Sequence, residues 1–370
     1  MLHQPLESSP RWTAVSLGLH PSRPSLHGKD VEIKRITITD VAAACDCSIA
    51  TVSLVLNGRG KVSAATKKRV LKVASQLGYV PNAAGRNLRT HRTNTLGLFF
   101  YPSCAQLFRN VFYAEIMESL EQNLGAAGYD LLLCGSDFSR DDTRAVNLMT
   151  QRRVDAAIML GAFPSVLVDR LSRLGPPFLL LDSNVDDLPI DSITTDGFSA
   201  GRMIVDHLVA RGHRRIIMMA YALEDYNIEM RARGFLSGLE RHGLATPHSL
   251  MRDFTLDEKG YPALLKRLRS AQPPTAVVCV NDTMAVFMMQ RLREAGIRVP
   301  DDVSFVGYDD DTYAHQSIPP LTTIAVNKTD LGRIGAEIIR RRLDTPAAAV
   351  TKARLPVQLV ERASVATLSA

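Results

Sequence analysis

Apolar residues change their spacing near residue 95 of the 370-residue chain. Before that point, short segments place apolar residues at helical intervals between capping residues and glycines. Beyond it, apolar runs of strand length alternate with longer segments of helical periodicity. We therefore predict a small all-α unit followed by a larger α/β core, because the chain is longer than a usual single domain of about 100–200 residues.

The first two helices of the predicted head lie on either side of a tight turn. Thr37 and Asp40 have the spacing of a capping box, with a hydroxyl at the N-cap and an acid three residues later. Residues 45–47 form the turn, and Ser48 can cap a second helix over 49–56. This arrangement predicts a helix-turn-helix, whose second helix presents its N-terminal residues to the DNA major groove.

A third helix and an excess of positive charge complete the head. Ser63 can cap this helix and Gly78 can end it. Residues 34–94 contain eleven Lys and Arg against two acids, a net +9, whereas the chain beyond residue 94 carries a net −3. Such a segment is typical of a surface that binds the DNA backbone, although a merely solvated basic face has the same composition.

The N-terminal residues and the cysteines narrow the choice of compartment. Residues 1–35 contain scattered prolines and no continuous apolar segment of the kind that a secretion signal requires, so we expect a disordered extension or a start codon assigned too early. Five cysteines, with no second pair at zinc-finger spacing, indicate a reducing cytoplasm and no metal site. No run approaches the roughly 18 apolar residues of a membrane span.

Beyond residue 95 the candidate strands recur between amphipathic segments. They are residues 96–101, 130–134, 156–160, 177–181, 216–220, 276–280, 303–307 and 355–360. Such alternation is typical of parallel sheets with crossover helices. About ten strands in roughly 250 residues fit two similar subdomains better than one sheet.

Sequence motifs along the head and the core occur in a recognisable order. The head contains DVA, SIATVS, VLNG, VS, GYVPN and RNLR, and the core contains GYDLLLC, RRVDAAIML, HLVARGHRRI, RARGF, AVVCVNDTMA, VPDDVSFVGYDDD and IPPLTTI. In both parts the chain resembles the lactose-repressor family, which includes the galactose and purine repressors. The resemblance implies a helix-turn-helix domain over 36–80, a hinge helix and linker over 81–94, and a ligand-binding core over 95–365.

The resemblance also implies a set of DNA-contacting residues in the head and the hinge. They are Thr37, Ser48, Ile49, Ala50, Thr51, Ser53, Leu54, Asn57, Asn82, Arg86 and Leu88. Leu54 departs from the family pattern, because many members place there an Arg that can pair with guanine. Asp46 replaces the usual Gly of the turn, which we expect to persist since Asp tolerates the left-handed region.

The predicted hinge helix carries the residue that would deform the duplex. Leu88 matches the leucine with which the family wedges open a central base step in the minor groove. Ordinary core packing is the alternative role for this side chain. Gly85 replaces the usual Ala and lowers the helix propensity by about 1 kcal/mol. We therefore expect the hinge to fold only on DNA, when two hinges pack together.

For the core, the resemblance implies the fold of type I periplasmic binding proteins, with two subdomains, three crossing segments and a ligand between them. The expected N-terminal subdomain covers about 95–185 and 312–343, and the C-terminal subdomain about 186–309 and 347–365. We place the crossings near 182–189, 309–312 and 343–347. Ligands of open α/β folds collect at the carboxyl ends of strands.

A set of polar and aromatic residues matches the effector-binding positions of the family. They are Phe112, Tyr113, Asp225, Asn227, Arg231, Phe254, Asn281 and Asp309. An Arg, an amide and a carboxylate beside aromatic faces fit a sugar or polyol. Asp225 and Asn227 stand where purine-sensing members carry cationic and hydroxyl partners, which argues against a purine or an anion. The alternative for each polar residue is a buried group satisfied by the backbone.

The sequence therefore predicts a cytoplasmic, ligand-responsive transcriptional regulator and not an enzyme. We expect a repressor that binds double-stranded operator DNA as a homodimer, without a cofactor or membrane contact. No heptad tail follows the last strand, so a tetramer is not expected. An exported or cytoplasmic sugar-binding protein without DNA function is the alternative. The sequence leaves open whether the effector releases or promotes DNA binding.

Overall fold

The computed structural model describes residues 36–56, 58, 60–79, 92–100, 108, 110–135, 143–221, 223–251 and 260–369. The chain divides into two compact units, Met1–Arg86 and Asn87–Ala370. We call the described part of the first unit the head and that of the second unit the core. The all-α head and the α/β core predicted from the sequence are both confirmed.

Three helices form the head, and the sequence predicted their starts correctly. They are α1 (Ile38–Ala44), α2 (Ile49–Leu56) and α3 (Ala64–Gln76). The capping box at Thr37 and Asp40 is present with both of its hydrogen bonds. Val41, Val52 and Val70, one from each helix, are fully buried at the centre of the head. The core of the head is therefore small and depends on one face of each helix.

The turn between α1 and α2 has the predicted geometry. Asp46 adopts a φ of 46°, the left-handed region that Asp tolerates better than most residues. The Cys47 N–H donates to the Ala42 carbonyl across 3.0 Å and closes the turn. Ser48 then caps α2 by accepting a hydrogen bond from the Thr51 N–H at 3.1 Å.

Six parallel strands form the sheet of the first lobe of the core, in the order β11-β5-β4-β3-β1-β2. The strands are β1 (Thr95–Phe100), β2 (Asp130–Cys134), β3 (Ala156–Leu160), β4 (Phe178–Leu181), β5 (Asp191–Thr195) and β11 (Lys352–Leu355). β3 and β4 are buried along their whole length. Continuous burial of this kind reflects helices on both faces of the sheet.

Four helices cover the sheet of the first lobe. They are α4 (Val111–Ala126), α5 (Thr143–Thr150), α6 (Ser165–Ser172) and α12 (Lys328–Asp344). α12 packs against α4 and also contacts β4 and β5. A Cβ at Gly332 of α12 would overlap the α4 backbone, so glycine permits this close approach.

The second lobe contains a four-stranded parallel sheet in the order β7-β6-β8-β9. Its strands are β6 (Ile216–Met219), β7 (Leu250–Met251), β8 (Ala276–Cys279) and β9 (Ser304–Val306). Its helices are α7 (Gly197–Ala210), α8 (Tyr226–Arg241), α9 (Gly260–Leu268), α10 (Asp282–Glu294) and α11 (Thr312–Gln316). α7 and α8 lie so close at Gly201 and Gly234 that a Cβ at either position would overlap the backbone of the other helix.

The chain crosses between the lobes later than the sequence predicted. β5 pairs with β4 inside the first sheet, so residues 186–195 belong to the first lobe and not to the second. β11 pairs with β5, which moves residues 352–355 to the first lobe as well. α11 packs against α10 and remains in the second lobe. The predicted boundaries were wrong because the polar segments Asp191–Thr195 and Lys352–Leu355 lack the apolar pattern of a buried strand.

The predicted strand at 355–360 is two strands in two different sheets. β11 ends at Leu355, and β12 (Gln358–Val360) pairs antiparallel with β10 (Thr323–Ala325). The three crossings therefore fall between β5 and α7, between β10 and α12, and between β11 and β12. Pro356 cannot donate a ladder hydrogen bond, which explains the interruption between the two strands.

Within the described residues, no single helix is both long and apolar enough to cross a membrane. α1 and α2 reach the required length and composition only together, and a bend of 107° separates them.

Candidate functional site

The exposed side of α2 and its N-cap carry four of the seven described residues that were predicted to contact DNA. Val52 and Val55 face the interior of the head, which turns the opposite face of the short helix to solvent. The residues of the predicted set on the solvent side are Ser48, Ile49, Ala50 and Leu54, with Thr51 and Ser53 partly buried. Ile49 and Leu54 are 48% and 40% exposed, although both are large apolar side chains. Neither side chain belongs to the apolar core of the head.

The other residues predicted to contact DNA lie outside α2 or outside the described residues. Thr37 is exposed, but its hydroxyl donates to the Asp40 carboxylate at 2.7 Å within the capping box. Asn57, Asn82, Arg86 and Leu88 lie outside the described residues. Exposed cations on the neighbouring helix α3 add positive charge to the head: Lys67, Lys68, Arg69 and Lys72.

In the core, a second group of functional side chains collects where strands end. Asp182 follows β4 of the first lobe, and Tyr308 and Asp309 follow β9 of the second. Arg231 and Asn227 reach the same place from α8. Together with Tyr113 of α4, these residues form what we call the interlobe cluster. The carboxyl ends of parallel strands are the usual location of ligands in such folds.

Arg231 is the cation at the centre of the interlobe cluster. Its Cζ lies 3.5 Å from the centroid of the Tyr308 ring, a cation–π contact. Nη1 donates to the Val280 carbonyl across 2.5 Å, and Nη2 lies 3.6 Å from Oδ1 of Asp309. Among the residues that the structure describes, Nε of Arg231 and Oδ1 of Asp309 are buried and have no hydrogen-bond partner. A buried donor and a buried acceptor on two neighbouring residues therefore lack hydrogen bonds, which is rare for buried polar groups.

Asp182 joins the two lobes. It accepts a hydrogen bond from Nδ2 of Asn227, at 3.0 Å to Oδ1, and the nearby Tyr113 hydroxyl opposes the rise of its pKa that burial causes. The same Asn227 amide also donates to the Asp182 main-chain carbonyl at 2.8 Å. Since Asn227 belongs to the second lobe and Asp182 to the first, a change in the angle between the lobes would break these bonds. Thr195 and Tyr308 make a further interlobe contact between their hydroxyls at 3.2 Å.

Burial controls the charge of this cluster. It raises the pKa of both Asp182 and Asp309 to about 7, and Arg231 opposes that rise. Burial also raises the pKa of Asp225 and of the Tyr113 hydroxyl. For Arg231, burial alone would lower the pKa, but the negative charges around it raise the value on balance. Near neutral pH the cluster therefore exchanges protons readily while its guanidinium stays charged.

Backbone strain accompanies these carboxylates. Asp182, Asp309 and Asp310 adopt φ values of 56°, 117° and 52°, which residues other than glycine rarely do. Lys328 holds the segment by donating to the carbonyls of Asp309 and Asp310 at 2.9 and 3.1 Å. Strained backbone that the surroundings fix in place is typical of ligand-binding sites.

The remaining predicted effector residues either cap helices, lie in the apolar core or fall outside the described residues. Asp225 caps α8 and Asn281 caps α10, so both side chains accept hydrogen bonds from backbone N–H groups, which was the alternative to a role in effector binding. Asn281 also donates a hydrogen bond to the Tyr221 hydroxyl at 3.1 Å. Phe112 is buried in the apolar core, so the structure does not bring it into the cluster and leaves Tyr113 as the aromatic from α4. Phe254 lies outside the described residues.

Sequence reasoning missed several members of the site. Asp182 was noted only as the start of a crossing, and Tyr308 and Lys328 were not singled out. The available signal was position, because Asp182 and Tyr308 each follow a correctly predicted strand closely. Lys328 had no such signal, since a lysine at a helix start usually lies in solvent.

Comparison with known proteins agrees with both parts of the chain. A profile for bacterial regulatory proteins of the lacI family matches residues 37–82, and one for a periplasmic binding protein-like domain matches residues 205–365. The repressor PurR of Pasteurella multocida is 31% identical over 333 residues, covering 89% of this chain and 98% of its own. The ribose operon repressor of Escherichia coli K12 is 30% identical, covering 89% and 99%.

A solved structure extends this similarity to three dimensions. The Lac repressor dimer bound to operator and the anti-inducer ONPF has a TM-score of 0.78 at 28% identity, covering 90% of this chain and 100% of its own. A helix-turn-helix head followed by a two-lobed binding domain defines a DNA-binding transcriptional regulator and not an enzyme. The chain belongs to the lacI family of bacterial regulatory proteins.

Proposed function

We propose that this protein represses transcription as a homodimer on a pseudo-palindromic operator, and that a sugar or polyol bound between the lobes changes its DNA affinity. The relatives are named as repressors, and the Lac repressor structure contains a dimer on its operator. A two-fold symmetric protein matches a site whose half-sites are related by the same symmetry. Since its target is DNA, the protein acts in the cytoplasm.

Two buried atoms that lack hydrogen bonds within the described residues, Nε of Arg231 and Oδ1 of Asp309, are the observation that carries the effector assignment. A hydroxyl group can both accept and donate a hydrogen bond, so the hydroxyls of a sugar can satisfy both atoms. The neighbouring carboxylates of Asp182 and Asp225 disfavour an anionic ligand. The ribose operon repressor, a relative named for a sugar operon, supports a neutral polyhydroxylated ligand.

The exposed face of α2 supports the DNA assignment. Ser48 and Thr51 can bind phosphates or base edges, while Ile49 and Ala50 offer apolar contacts such as those made to a thymine methyl. Leu88 of the hinge would enter the minor groove at the centre of the operator. A binding protein without DNA function would have no use for this head, which the lacI family profile matches.

Lobe closure is the step that would couple the effector to DNA. A ligand can shift the closure equilibrium only by the difference between its affinities for the two states. The hydrogen bonds of Asn227 to Asp182 exist only when the lobes are close, so they differ between those states. In a dimer, closure sets the separation of the two hinge helices and thereby decides whether the two Leu88 side chains meet in the minor groove.

A thermal-shift screen of the full-length protein tests the effector assignment. The ligands are pentoses, hexoses and polyols, with nucleosides and nucleotides as the competing classes. A ligand at 100 times its Kd stabilises the folded state by about 2.7 kcal/mol, which is measurable as a rise in Tm. We expect a neutral sugar to raise the Tm of the wild type and to have much less effect on Asp309→Asn. A rise with nucleotides alone would overturn the assignment.

A further inference from the structure

Three neighbouring strands of the second lobe end in a row of polar side chains. The last register pairs of β6, β8 and β9 are Met219 with Cys279 and Val278 with Val306. Continued past these pairs, the same register sets Tyr221, Asn281 and Asp309 side by side at the carboxyl edge of the sheet, where ligands of such folds collect. Asn281 and Asp309 were predicted to bind the effector, whereas Tyr221 was not. Tyr221 is therefore a third side chain at the place where the effector is expected.

The hydroxyl of Tyr221 is held by the side-chain amide of Asn281. Nδ2 of Asn281 donates to this hydroxyl across 3.1 Å, while Oδ1 of Asn281 accepts from the Met284 N–H at 2.8 Å as the cap of α10. The cap thus turns the amide oxygen toward the helix and the amide nitrogen toward Tyr221. A hydroxyl that accepts one hydrogen bond keeps its own proton for another. Among the described residues, the proton of Tyr221 has no acceptor.

The surroundings of Tyr221 keep its hydroxyl protonated. Burial raises the pKa of this group, and the carboxylates of Asp309 and Asp225 raise it further, against the opposing effects of the Asn281 hydrogen bond and of Arg231. Near neutral pH, Tyr221 is therefore a neutral hydrogen-bond donor. Within the described residues, Nε of Arg231 and Oδ1 of Asp309 also lack partners. The effector site thus offers a ligand two donors and one acceptor.

We propose that Tyr221 is a specificity-determining residue of the effector site and that its hydroxyl donates a hydrogen bond to one hydroxyl oxygen of a neutral sugar. This inference rests on the proposed function and narrows it, because the sugar must carry a hydroxyl at that position. A site built to hydrogen-bond a hydroxyl rejects an analogue that lacks it, since the buried polar group of the protein is then left unpaired. The alternative role for Tyr221 is only to position the Asn281 amide.

Monodeoxy analogues of a sugar test the proposal on the full-length protein. The parent sugar is the one among D-glucose, D-galactose, D-ribose and D-xylose that raises the Tm of the wild type most. The parent and each of its monodeoxy analogues are titrated by calorimetry into the wild type and into Tyr221→Phe. We expect the variant to bind the parent roughly tenfold more weakly, the effect of losing one hydrogen bond. The affinity penalty for one analogue should shrink by a similar factor in the variant, while the penalties for the others stay as in the wild type.

Tyr261→Phe is the matched control in the same lobe. The Tyr261 ring lies under Arg291, whose Cζ is 4.9 Å from the ring centroid. Arg291 is about 15 Å along α10 from the Asn281 cap. This variant should bind the sugars like the wild type, and also a DNA duplex selected from a random pool by the wild type, which we call the selected duplex.

The possible outcomes separate this proposal from the proposed function. An unchanged affinity of Tyr221→Phe for the parent sugar would overturn the proposal. An equal loss of affinity for the parent and for every analogue would also overturn it, because Tyr221 would then only position Asn281. If no sugar of the panel raises the Tm of the wild type, the effector assignment is wrong and the proposal falls with it. Failure of the wild type to select any duplex would instead count against the proposed DNA function.

Discussion

The head and the core present their functional residues in opposite ways. In the head, the described candidate DNA contacts other than Thr37 lie in or next to one short helix, exposed or partly buried and close together in sequence. In the core, the interlobe cluster is buried and combines residues from Tyr113 to Asp309, which belong to different elements of both lobes. A change in the head should therefore alter binding with little effect on folding, whereas a change in the cluster should affect ligand binding and core stability together.

Replacement of Arg231 should give the largest effect. Arg231→Ala leaves the buried carboxylates of Asp182 and Asp309 without their cation, and breaking a buried pair costs about 3–5 kcal/mol. We expect effector affinity to fall by roughly 100-fold or more in calorimetric titration, while DNA affinity without effector is kept. Arg233→Ala is the matched control, because Arg233 lies on the same helix in an exposed pair with Glu229. An unchanged titration for Arg231→Ala would remove this residue from the site.

The next largest effect is expected at the hinge. Leu88→Ala removes the side chain that would wedge the base step, and loss of a central apolar anchor costs about 2 kcal/mol or more. Affinity for the selected duplex should fall roughly 30-fold, while affinity for random DNA is unchanged in fluorescence anisotropy at two salt concentrations. Equal losses on both kinds of DNA would show that Leu88 has a packing role instead.

A smaller effect is expected from pH. Asp309 has a raised pKa of about 7, and a sugar hydroxyl that donates to its carboxylate favours the charged form. Binding should release a proton, so affinity should rise with pH between about 6 and 8, by at most about tenfold per unit. Calorimetry in buffers of different ionisation enthalpy measures this release. Asp309→Asn should remove the Asp309 contribution, and an affinity that falls with rising pH would contradict the assignment.

The same two carboxylates also predict how stability depends on pH. Because the pKa values of Asp182 and Asp309 are higher in the folded than in the unfolded state, the folded core binds more protons between about pH 4 and 7. Their contribution to stability is therefore complete at the acid end and is lost as pH rises through this range. Thermal unfolding of the ligand-free core should show that Asp309→Asn loses less stability over this interval than the wild type. An identical slope in both proteins would contradict the raised pKa.

The smallest effect is expected at the helix caps of the head. Ser48 and Ser63 each accept a hydrogen bond from a backbone N–H, at 3.1 and 3.2 Å, and loss of such a cap costs about 1 kcal/mol. Ser48→Ala and Ser63→Ala should therefore destabilise the head equally in thermal unfolding. Ser48→Ala alone should also weaken DNA binding, since only α2 carries the candidate contact face. Equal DNA affinities would argue against that face.

The same contrast explains which features the sequence could predict. The capping box at Thr37, the turn at Asp46 and the strands β2 and β3 depend on neighbouring residues and were correct. β5 and β11 have polar sequences and become strands through pairing with distant partners, so local pattern could not identify them. The predicted lobe boundaries failed for this reason.

For the effector site as well, some residues could be predicted from the sequence, whereas their three-dimensional surroundings could not. Arg231, Asn227 and Asp309 were predicted by family resemblance, and the structure brings them together with Asp182. The open atoms of Arg231 and Asp309, however, follow from their three-dimensional surroundings. Phe112 was predicted in the site but its side chain is buried in the apolar core, because consecutive residues of a helix do not face the same side.

Ligand binding at the interlobe cluster should change the affinity of the head for DNA, and one titration tests this most directly. The affinity of the full-length protein for its selected duplex is measured with and without the sugar that gives the largest thermal shift. We expect saturating sugar to change DNA affinity at least roughly tenfold in the wild type and to have little effect in Asp309→Asn at the same concentration. Equal DNA affinity of the sugar-saturated and sugar-free wild type would contradict the account.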